Sequence, residues 1–242
     1  LSMLVQALYN VVDSVFVAQI NENALTAVSL VFPIQNLMIA ISGGVCVGMN
    51  ALLSRNLGEK DFEGVNAAAR NGIFLSLVCY IIFAVFSTSL SNLFLHVQTE
   101  NVQIREYGTI YMQIISVCCI GVYMQMMMER LLQSTGRTFL AMITQIVGAV
   151  INLCMDPILI FGLFGFPKMG VAGAALATIF GQITAMCLGL FMNIKSNPEV
   201  NISMKKFRPS KQILGNILSV GIPTTVVQAI GSVMTFGFNK IL

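Results

Sequence analysis

Seven long apolar stretches constrain the fold of this chain more than any other feature of its sequence. Each has the roughly 20 residues that an α-helix needs to cross the hydrocarbon core of a membrane. The chain is 56% hydrophobic and 10% charged, with a mean hydropathy of +0.83, whereas soluble domains carry about 25% charged residues. We therefore predict an all-α, polytopic helical membrane protein. The predicted spans cover approximately residues 1–20, 27–53, 71–95, 109–128, 138–161, 170–193 and 213–241.

Basic residues are divided unequally between the two sides of the predicted membrane. Ten of the thirteen lysines and arginines lie between spans two and three, four and five, or six and seven. The other three are Arg105, Lys168 and Lys240. Because loops rich in Lys and Arg stay in the cytoplasm, this division predicts that these three loops and the start of span one are cytoplasmic.

The segment 195–212 is the one long polar connection between predicted spans. It contains two prolines, five basic residues and one acidic residue, a composition typical of a solvated linker. We therefore predict a six-helix N-terminal lobe over residues 1–194, a cytoplasmic linker over 195–212 and the first helix of a second lobe over 213–242. Because the sequence begins at Leu1 and ends at Leu242 inside apolar runs, we expect the protein to continue beyond both.

Two carboxylates lie well inside predicted spans, where an ionisable group is costly and usually faces a bundle interior or a water-filled cavity. Asp156 in span five shares a helix face with Asn152, four residues earlier. At 1.5 Å per residue, Asp13, Asp156 and Thr178 lie about 10, about 8 and about 12 Å below the outer ends of their spans. Because these three depths are similar, we predict one shared site in the outer half of the lobe. Glu129 is expected at a span end, away from that site.

The predicted site combines carboxylates with neutral oxygens. Two neighbouring carboxylates favour retention of a proton, and the same oxygens suit a small hard cation such as Na⁺, so both coupling ions stay open. Two structural alternatives also stay open. Asp156 could pair with a neighbour only for packing, and the Thr178 hydroxyl could simply bond a carbonyl of its own helix.

The sequence carries none of the motifs of common enzyme classes: no Walker loop, Rossmann fingerprint, zinc cluster or nucleophile triad. We therefore predict that the protein is not an enzyme, and we expect no cofactor and no nucleic-acid partner. The six cysteines lie in apolar segments without a CxxC pattern. This placement favours small core residues over disulfides or metal ligands.

Six segments carry a resemblance to a known family. They are LYNVVDSVFV at 8–17, AVSLVFP at 27–33, GMNALLSRNLG at 48–58, LQSTGR at 132–137, NLCMDP at 152–157 and GVAGAALAT at 170–178. With these segments in this order, the chain resembles the N-terminal half of a MATE (multidrug and toxic compound extrusion) transporter. Residues 221–240 contain no Asp or Glu, and in this the chain is similar to the DinF-like prokaryotic branch.

The resemblance implies a protein of twelve helices in two six-helix lobes, which exports cationic or amphipathic drug-like molecules in exchange for H⁺ or Na⁺. Its expected partners are these substrates, membrane lipid and the C-terminal six-helix lobe. Its expected location is the plasma membrane, as a multi-pass protein of the bacterial inner membrane. The implied cation site is Asp13, Asn152, Asp156 and Thr178, with the Ala174 carbonyl as a further ligand and Tyr9 as a hydrogen-bonding neighbour. We expect Gln6, Asn10 and Met126 to line the substrate cavity.

Two other functions fit part of the pattern. A lipid-linked precursor flippase of the same superfamily would be expected to line its cavity with cationic residues, and no Lys or Arg lies in the middle of a predicted span. A seven-helix receptor fits the number of spans. It fits the sidedness less well, because the division of basic residues places the start of the chain in the cytoplasm.

Overall fold

A computed structural model describes residues 14–204 and 207–241, and every regular element in these two ranges is a helix. Helix α1 is described over residues 14–18. The later helices are α2 (Glu22–Gly58), α3 (Phe62–Gln98), α4 (Val102–Val117), α5 (Ile120–Ser134), α6 (Thr138–Phe161), α7 (Val171–Ser196) and α8 (Lys211–Ile241), with a 3₁₀ turn at Leu163–Gly165 between α6 and α7. The all-α prediction is confirmed.

Short polar side chains define where three of these helices begin. Asn21 accepts a hydrogen bond from the Ala24 amide at 2.6 Å, ahead of α2. Asp61 accepts from Gly64 at 3.0 Å, ahead of α3, and Asn101 caps α4 in the same way. Since the first amides of a helix have no partner inside it, such caps fix the start of each helix. The loops between helices α2, α3 and α4 are therefore short.

Helices α2, α3, α6, α7 and α8 are each long and apolar enough to cross a membrane. A sixth candidate span is the pair α4 and α5, which bend by 46° relative to each other. The prediction of one continuous span over 109–128 is thus wrong in its bounds and its shape. This span is broken near Cys118 and Cys119, and its second half continues to Ser134.

The bend between α4 and α5 leaves a carbonyl without its helical donor, and a tyrosine from α3 supplies one. The Tyr80 hydroxyl donates a hydrogen bond to the Val117 carbonyl oxygen at 3.1 Å. The Tyr80 ring also contacts the ring of the fully buried Tyr123, with 6.5 Å between centroids. Because a break in a buried helix is tolerated when neighbouring groups take up the freed backbone bonds, Tyr80 stabilises the bend.

Close contacts at glycines hold the bundle together. A Cβ atom on Gly44 would lie 2.6 Å from the Gly221 carbonyl oxygen, and one on Gly48 would meet the Ile217 carbonyl oxygen even more closely. Small residues let helix backbones approach in this way inside membranes. Helix α8 therefore packs tightly on α2.

The two ends of the bundle differ in charge. One end carries the loops 59–61, 135–137 and 197–210. Ten of the chain's thirteen basic residues lie in or near these loops, so we call it the basic end. The far end carries the loops 99–101 and 162–170. Helix α6 runs from the basic end to the far end, and α7 runs back.

The connection 197–210 is tethered to the lobe at several points and is more than a solvated linker. Asn201 accepts a hydrogen bond from Arg70 at 3.2 Å, and its own amide donates to Asn66 at 2.6 Å. Asn197 and Val200 are buried. The polar residues of this segment therefore make contacts with the ends of helices as well as with water.

The cysteine prediction is right for some positions and wrong for others. Cys46 and Cys119 are buried, but Cys154 and Cys187 are exposed on the surface of their helices. The reason is that a membrane helix is apolar on its lipid-facing side as well as its core side, so an apolar run does not reveal which side a cysteine faces. All six are free thiols.

Candidate cation site between α6 and α7

One face of α6 carries polar and small residues spaced by four: Thr144, Gly148, Asn152 and Asp156. Residues four apart lie one turn above each other on the same helix face. All four are buried in the bundle, and Asp156 has no exposed surface. Asp156 also lies five residues before the end of α6, which places it about 8 Å from the far end.

Helix α7 completes this site from the other side. The Asn152 amide donates a hydrogen bond to the Thr178 hydroxyl oxygen at 3.4 Å. The Thr178 hydroxyl donates in turn to the Ala174 carbonyl oxygen, one turn earlier, at 3.1 Å. Thr178 therefore makes the backbone bond expected of a structural threonine and, at the same time, the contact with α6. We call Asn152, Asp156, Ala174 and Thr178 the far-end site.

Two close approaches of α6 and α7 enclose the far-end site. Toward the basic end, a Cβ atom on Gly181 would lie 2.6 Å from the Gly148 carbonyl oxygen. Toward the far end, a Cβ atom on Gly173 would lie 2.5 Å from the Leu159 carbonyl oxygen. Since only glycine fits at such distances, the two helices are locked together on either side of the polar residues.

The chemistry of the far-end site is a carboxylate beside neutral oxygens. The Asp156 carboxylate, the Asn152 amide oxygen, the Ala174 carbonyl and the Thr178 hydroxyl are all ligands that suit a small hard cation. A carboxylate can equally take up a proton. Pro157, next in the chain, has no amide hydrogen, so the Leu153 carbonyl cannot make its usual helical bond and is a further possible acceptor.

Four of the predicted site residues lie outside the described residues: Gln6, Tyr9, Asn10 and Asp13. The described part of α1 ends beside the far end of α6, where the rings of Phe16 and Phe161 are 6.5 Å apart. Met126, predicted to line a substrate cavity, is half-buried on α5 and packs against the core.

The sequence interpretation missed a second buried polar cluster near the basic end. Glu129 is only 5% exposed, although we expected it at a span end. It accepts hydrogen bonds from Gln125 at 2.9 Å and from Gln145 at 2.8 Å, and the Thr144 hydroxyl lies 3.5 Å from it. We call Gln125, Glu129, Thr144 and Gln145 the basic-end site.

A signal for the basic-end site was present in the sequence. Gln125 and Glu129 are four residues apart, and Thr144 and Gln145 are polar residues inside an apolar span. The error came from ending span four at Met128, which left Glu129 at the end of the span. In the structure α5 continues to Ser134, so Glu129 lies about 8 Å inside its end.

Comparison with known proteins agrees with this architecture. A sequence model of the family described as MatE matches residues 1–158. The chain belongs to the MATE family. It is 27% identical over 243 residues to the multidrug export protein MepA of Staphylococcus haemolyticus, an alignment that covers 99% of this chain and 52% of that protein.

Solved MATE structures have the same fold. An outward-facing conformation of a multidrug resistance MATE family transporter of the MOP superfamily matches with a TM-score of 0.88 at 28% identity, covering 97% of this chain and 51% of that one. A MOP superfamily transporter from Pyrococcus furiosus, whose reverse polarity of the binding pocket was described as suggesting a different function, gives the same values. The chain spans about half the length of the relatives it matches.

Membership of the MATE family settles several expectations. The chain is part of a multi-pass membrane transporter family and not of an enzyme family. The seven-helix receptor interpretation is wrong for the same reason. The MATE resemblance drawn from the six sequence segments is confirmed.

Proposed function

We propose that this MATE chain is the N-terminal lobe, with the first helix of a second lobe, of a secondary transporter that exports drugs in exchange for H⁺ or Na⁺. Coupling to the ion gradient takes place at Asp13, Asn152, Asp156 and Thr178, with the Ala174 carbonyl as a further ligand. Residues 1–194 form the first lobe, 195–212 the cytoplasmic linker and 213–242 the beginning of the second lobe.

The observation that carries this proposal is the contact between Asn152 and Thr178 beside a fully buried Asp156. An ionisable group at the centre of a membrane helix costs about 2.5–3.5 kcal/mol on insertion scales. A carboxylate that served only for packing could be replaced by an apolar residue without this cost. Its placement among neutral oxygens on two helices supports a role in binding a cation or proton.

The position of α1 supports the inclusion of Asp13. Phe16 lies beside Phe161, and α1 and α6 both run toward the far end. Asp13 precedes Phe16 by three residues, and Asp156 precedes Phe161 by five. This spacing in the sequence, together with the ring contact, is the reason that Asp13 is included in the proposed site. Tyr9, four residues before Asp13 in the sequence, is proposed as its hydrogen-bonding neighbour.

Ion binding at this site can act as a switch between two packings of the lobe. A proton or Na⁺ neutralises charge that α1 and α6 share, and the ion stabilises whichever packing presents more ligands to it. Transport follows when only one of the two packings holds the drug. Because residues 221–240 contain no acidic residue, we propose that coupling lies in the first lobe alone, as in the DinF-like branch.

The proposed substrates and location follow from the relatives. The curated relative MepA is described as a multidrug export protein, and we propose amphipathic or cationic drug-like molecules as substrates here. The proposed location is a bacterial inner membrane. Gln6, Asn10 and Met126 are proposed to line the drug cavity, which is completed by the second lobe.

Drug efflux by the full-length transporter, with imposed H⁺ or Na⁺ gradients, tests this proposal. Asp156→Asn keeps the size and one polar oxygen but removes the titratable group. We expect Asp156→Asn and Asp13→Asn to lower gradient-driven efflux by at least about tenfold, or ~1.4 kcal/mol. The double variant should be little worse than either, because residues that act as one unit are not additive.

The matched control is Glu100→Gln, which neutralises an exposed carboxylate in a far-end loop. This variant should export drug at the parent rate. Normal gradient-dependent efflux by Asp156→Asn, at equal protein levels in the membrane, would refute coupling at the far-end site. The gradient that drives efflux in the parent protein identifies the coupling ion.

A further inference from the structure

We propose that the basic-end site is a second proton-binding site, in which Glu129 takes up and releases a proton independently of Asp156. Its position in a transport cycle rests on the proposed function, but proton binding itself does not. The step forms one O–H bond on a Glu129 carboxylate oxygen and breaks one O–H bond of a hydronium ion at the basic end, which leaves water.

Glu129 has the surroundings of a titrating group and not those of an ion pair. Its two oxygens are bonded by the neutral amides of Gln125 and Gln145, at 2.9 and 2.8 Å. Neutral amides can stabilise a carboxylate through hydrogen bonds without supplying a compensating charge. The free energies of the ionised and protonated forms can therefore lie close together.

The Thr144 hydroxyl is arranged to accept a hydrogen bond from a protonated Glu129. It donates its single hydrogen to the Ala141 carbonyl oxygen at 2.7 Å, the shorter of its two contacts. A hydroxyl has one donor and two acceptor lone pairs. While that hydrogen is donated to Ala141, a lone pair is left to accept from Glu129, whose oxygen lies 3.5 Å away. This contact suits the O–H of a protonated carboxyl better than a bare carboxylate.

The Gln145 amide can serve both forms of Glu129. Its nitrogen donates to the carboxylate, while its oxygen is buried and has no hydrogen-bond partner within residues 14–204 and 207–241. Rotating the amide by 180° exchanges the two atoms and presents the oxygen to Glu129 as an acceptor. The same side chain thus bonds the ionised form as a donor and the protonated form as an acceptor.

The basic-end site is separated from the far-end site by one of the two close approaches of α6 and α7. Gln145 and Asp156 are eleven residues apart on α6, which is about 16 Å. Between them Gly148 and Gly181 meet backbone to backbone, leaving no space for even a Cβ atom. The two carboxylates therefore exchange protons with different ends of the bundle.

The groups around Glu129 on α5, α2, α7 and α6 are consistent with this assignment. On its own helix, Arg130 is the charged neighbour and attracts the ionised form. On α2, the Cys46 thiol is near enough to interact electrostatically with Glu129. Helix α7 contributes the neutral Asn193, which donates to the Met128 carbonyl at 2.9 Å, and α6 contributes the hydroxyl and amide described above.

Infrared difference spectroscopy of the purified full-length protein tests the proposal without a transport assay. Protonated carboxyl groups absorb in a region that is free of amide bands, so a titrating buried carboxyl gives a separate signal. Spectra are compared between about pH 4 and about pH 9, the range in which buried carboxyl groups titrate. We expect Glu129→Gln to remove one component completely and Asp156→Asn to leave that component in place.

A Glu129→Gln spectrum identical to that of the parent protein would overturn the proposal, since Glu129 would then be a fixed structural group. If Glu129→Gln does not fold, Gln145→Leu keeps the carboxyl and removes its amide neighbour. The carboxyl component should then move to higher frequency, because the protonated carboxyl loses its hydrogen bond to Gln145; an unchanged frequency would also overturn the proposal. Failure of the proposed function appears separately, as intact coupled efflux by Asp156→Asn.

Discussion

The far-end site and the basic-end site occupy the same face of α6 but are built in different ways. The far-end site joins two antiparallel neighbours, α6 and α7, and is enclosed by glycine contacts on both sides. The basic-end site joins α6 to the second half of the broken span, α5, through long glutamine side chains. The first is therefore held by backbone packing, whereas the second is held by flexible side chains.

This difference indicates how each site can respond to an ion. Backbones in contact cannot adjust without moving whole helices, because packed interiors respond by discrete rearrangement. Glutamine amides can reorient without moving any helix. Under the proposals above, we therefore expect an ion at the far-end site to be coupled to conformational change, and a proton at the basic-end site to be bound with little movement of the backbone.

The largest expected effect comes from removing the close approach that separates the two sites. Gly181→Leu would place a Cβ atom 2.6 Å from the Gly148 carbonyl and push α6 away from α7. Overpacking costs about 1–3 kcal/mol and occasionally more, and here the obstacle is backbone. We expect a marked loss of folded protein, measured by thermal unfolding and size-exclusion chromatography of the full-length transporter.

Gly215→Leu is the control for this substitution. Gly215 lies on α8, and a Cβ atom there has no neighbour within 4 Å. This variant should fold as well as the parent protein. Equal stability of the Gly181 and Gly215 variants would show that the glycine contact does not hold the far-end site.

A smaller effect is expected at the contact between α6 and α7. Thr178→Val keeps the shape of the side chain but removes the oxygen that accepts from Asn152. One such hydrogen bond contributes about 0.5–1.5 kcal/mol. The ion concentration for half-maximal efflux should therefore rise by about twofold to about twelvefold, with folding little changed.

Thr184→Val separates this contact from a general effect of threonine. Thr184 is on the same helix and donates to the Phe180 carbonyl at 2.8 Å, the same local bond that Thr178 makes with Ala174. We expect the ion dependence of Thr184→Val to match the parent. If the two variants behave alike, Thr178 has only the structural role.

The smallest expected effect comes from removing a partly exposed ion pair at the basic end. The Arg137 guanidinium hydrogen-bonds the Glu199 carboxylate, and their closest ion-pair distance is 2.7 Å. This bond holds the pKa of Glu199 below its ordinary value of 4.5. A lowered folded-state pKa stabilises the protein above pH 4.5, and the stabilisation disappears as the pH falls through the folded-state pKa.

Because the pair is partly exposed to solvent, its contribution should be below about 1 kcal/mol. We expect Glu199→Gln to lower the melting temperature slightly at about pH 7, and this difference should shrink as the pH falls through the lowered folded-state pKa of Glu199. A large loss at neutral pH would mean that the connection 197–210 contributes more to the lobe than its other contacts indicate.

Much of the fold could be predicted from local sequence. The positions of α2, α3, α6, α7 and α8 follow from apolar runs, since a helix inside a membrane satisfies its own backbone hydrogen bonds. The bend at Cys118 and Cys119 could not be predicted in this way. It depends on Tyr80, about 40 residues earlier, which supplies the donor for the Val117 carbonyl.

The sequence by itself determined that Asn152 and Asp156 share one helix face, because the period of the α-helix is local and fixed. Only the tertiary structure decided that Thr178 contacts Asn152, through the close approach of α6 and α7 at their glycines. It alone also decided that Glu129 is buried, because α5 continues past Met128 and packs against Gln145. Contacts between residues remote in sequence depend on how helices bend and how closely they pack, and no local pattern records either.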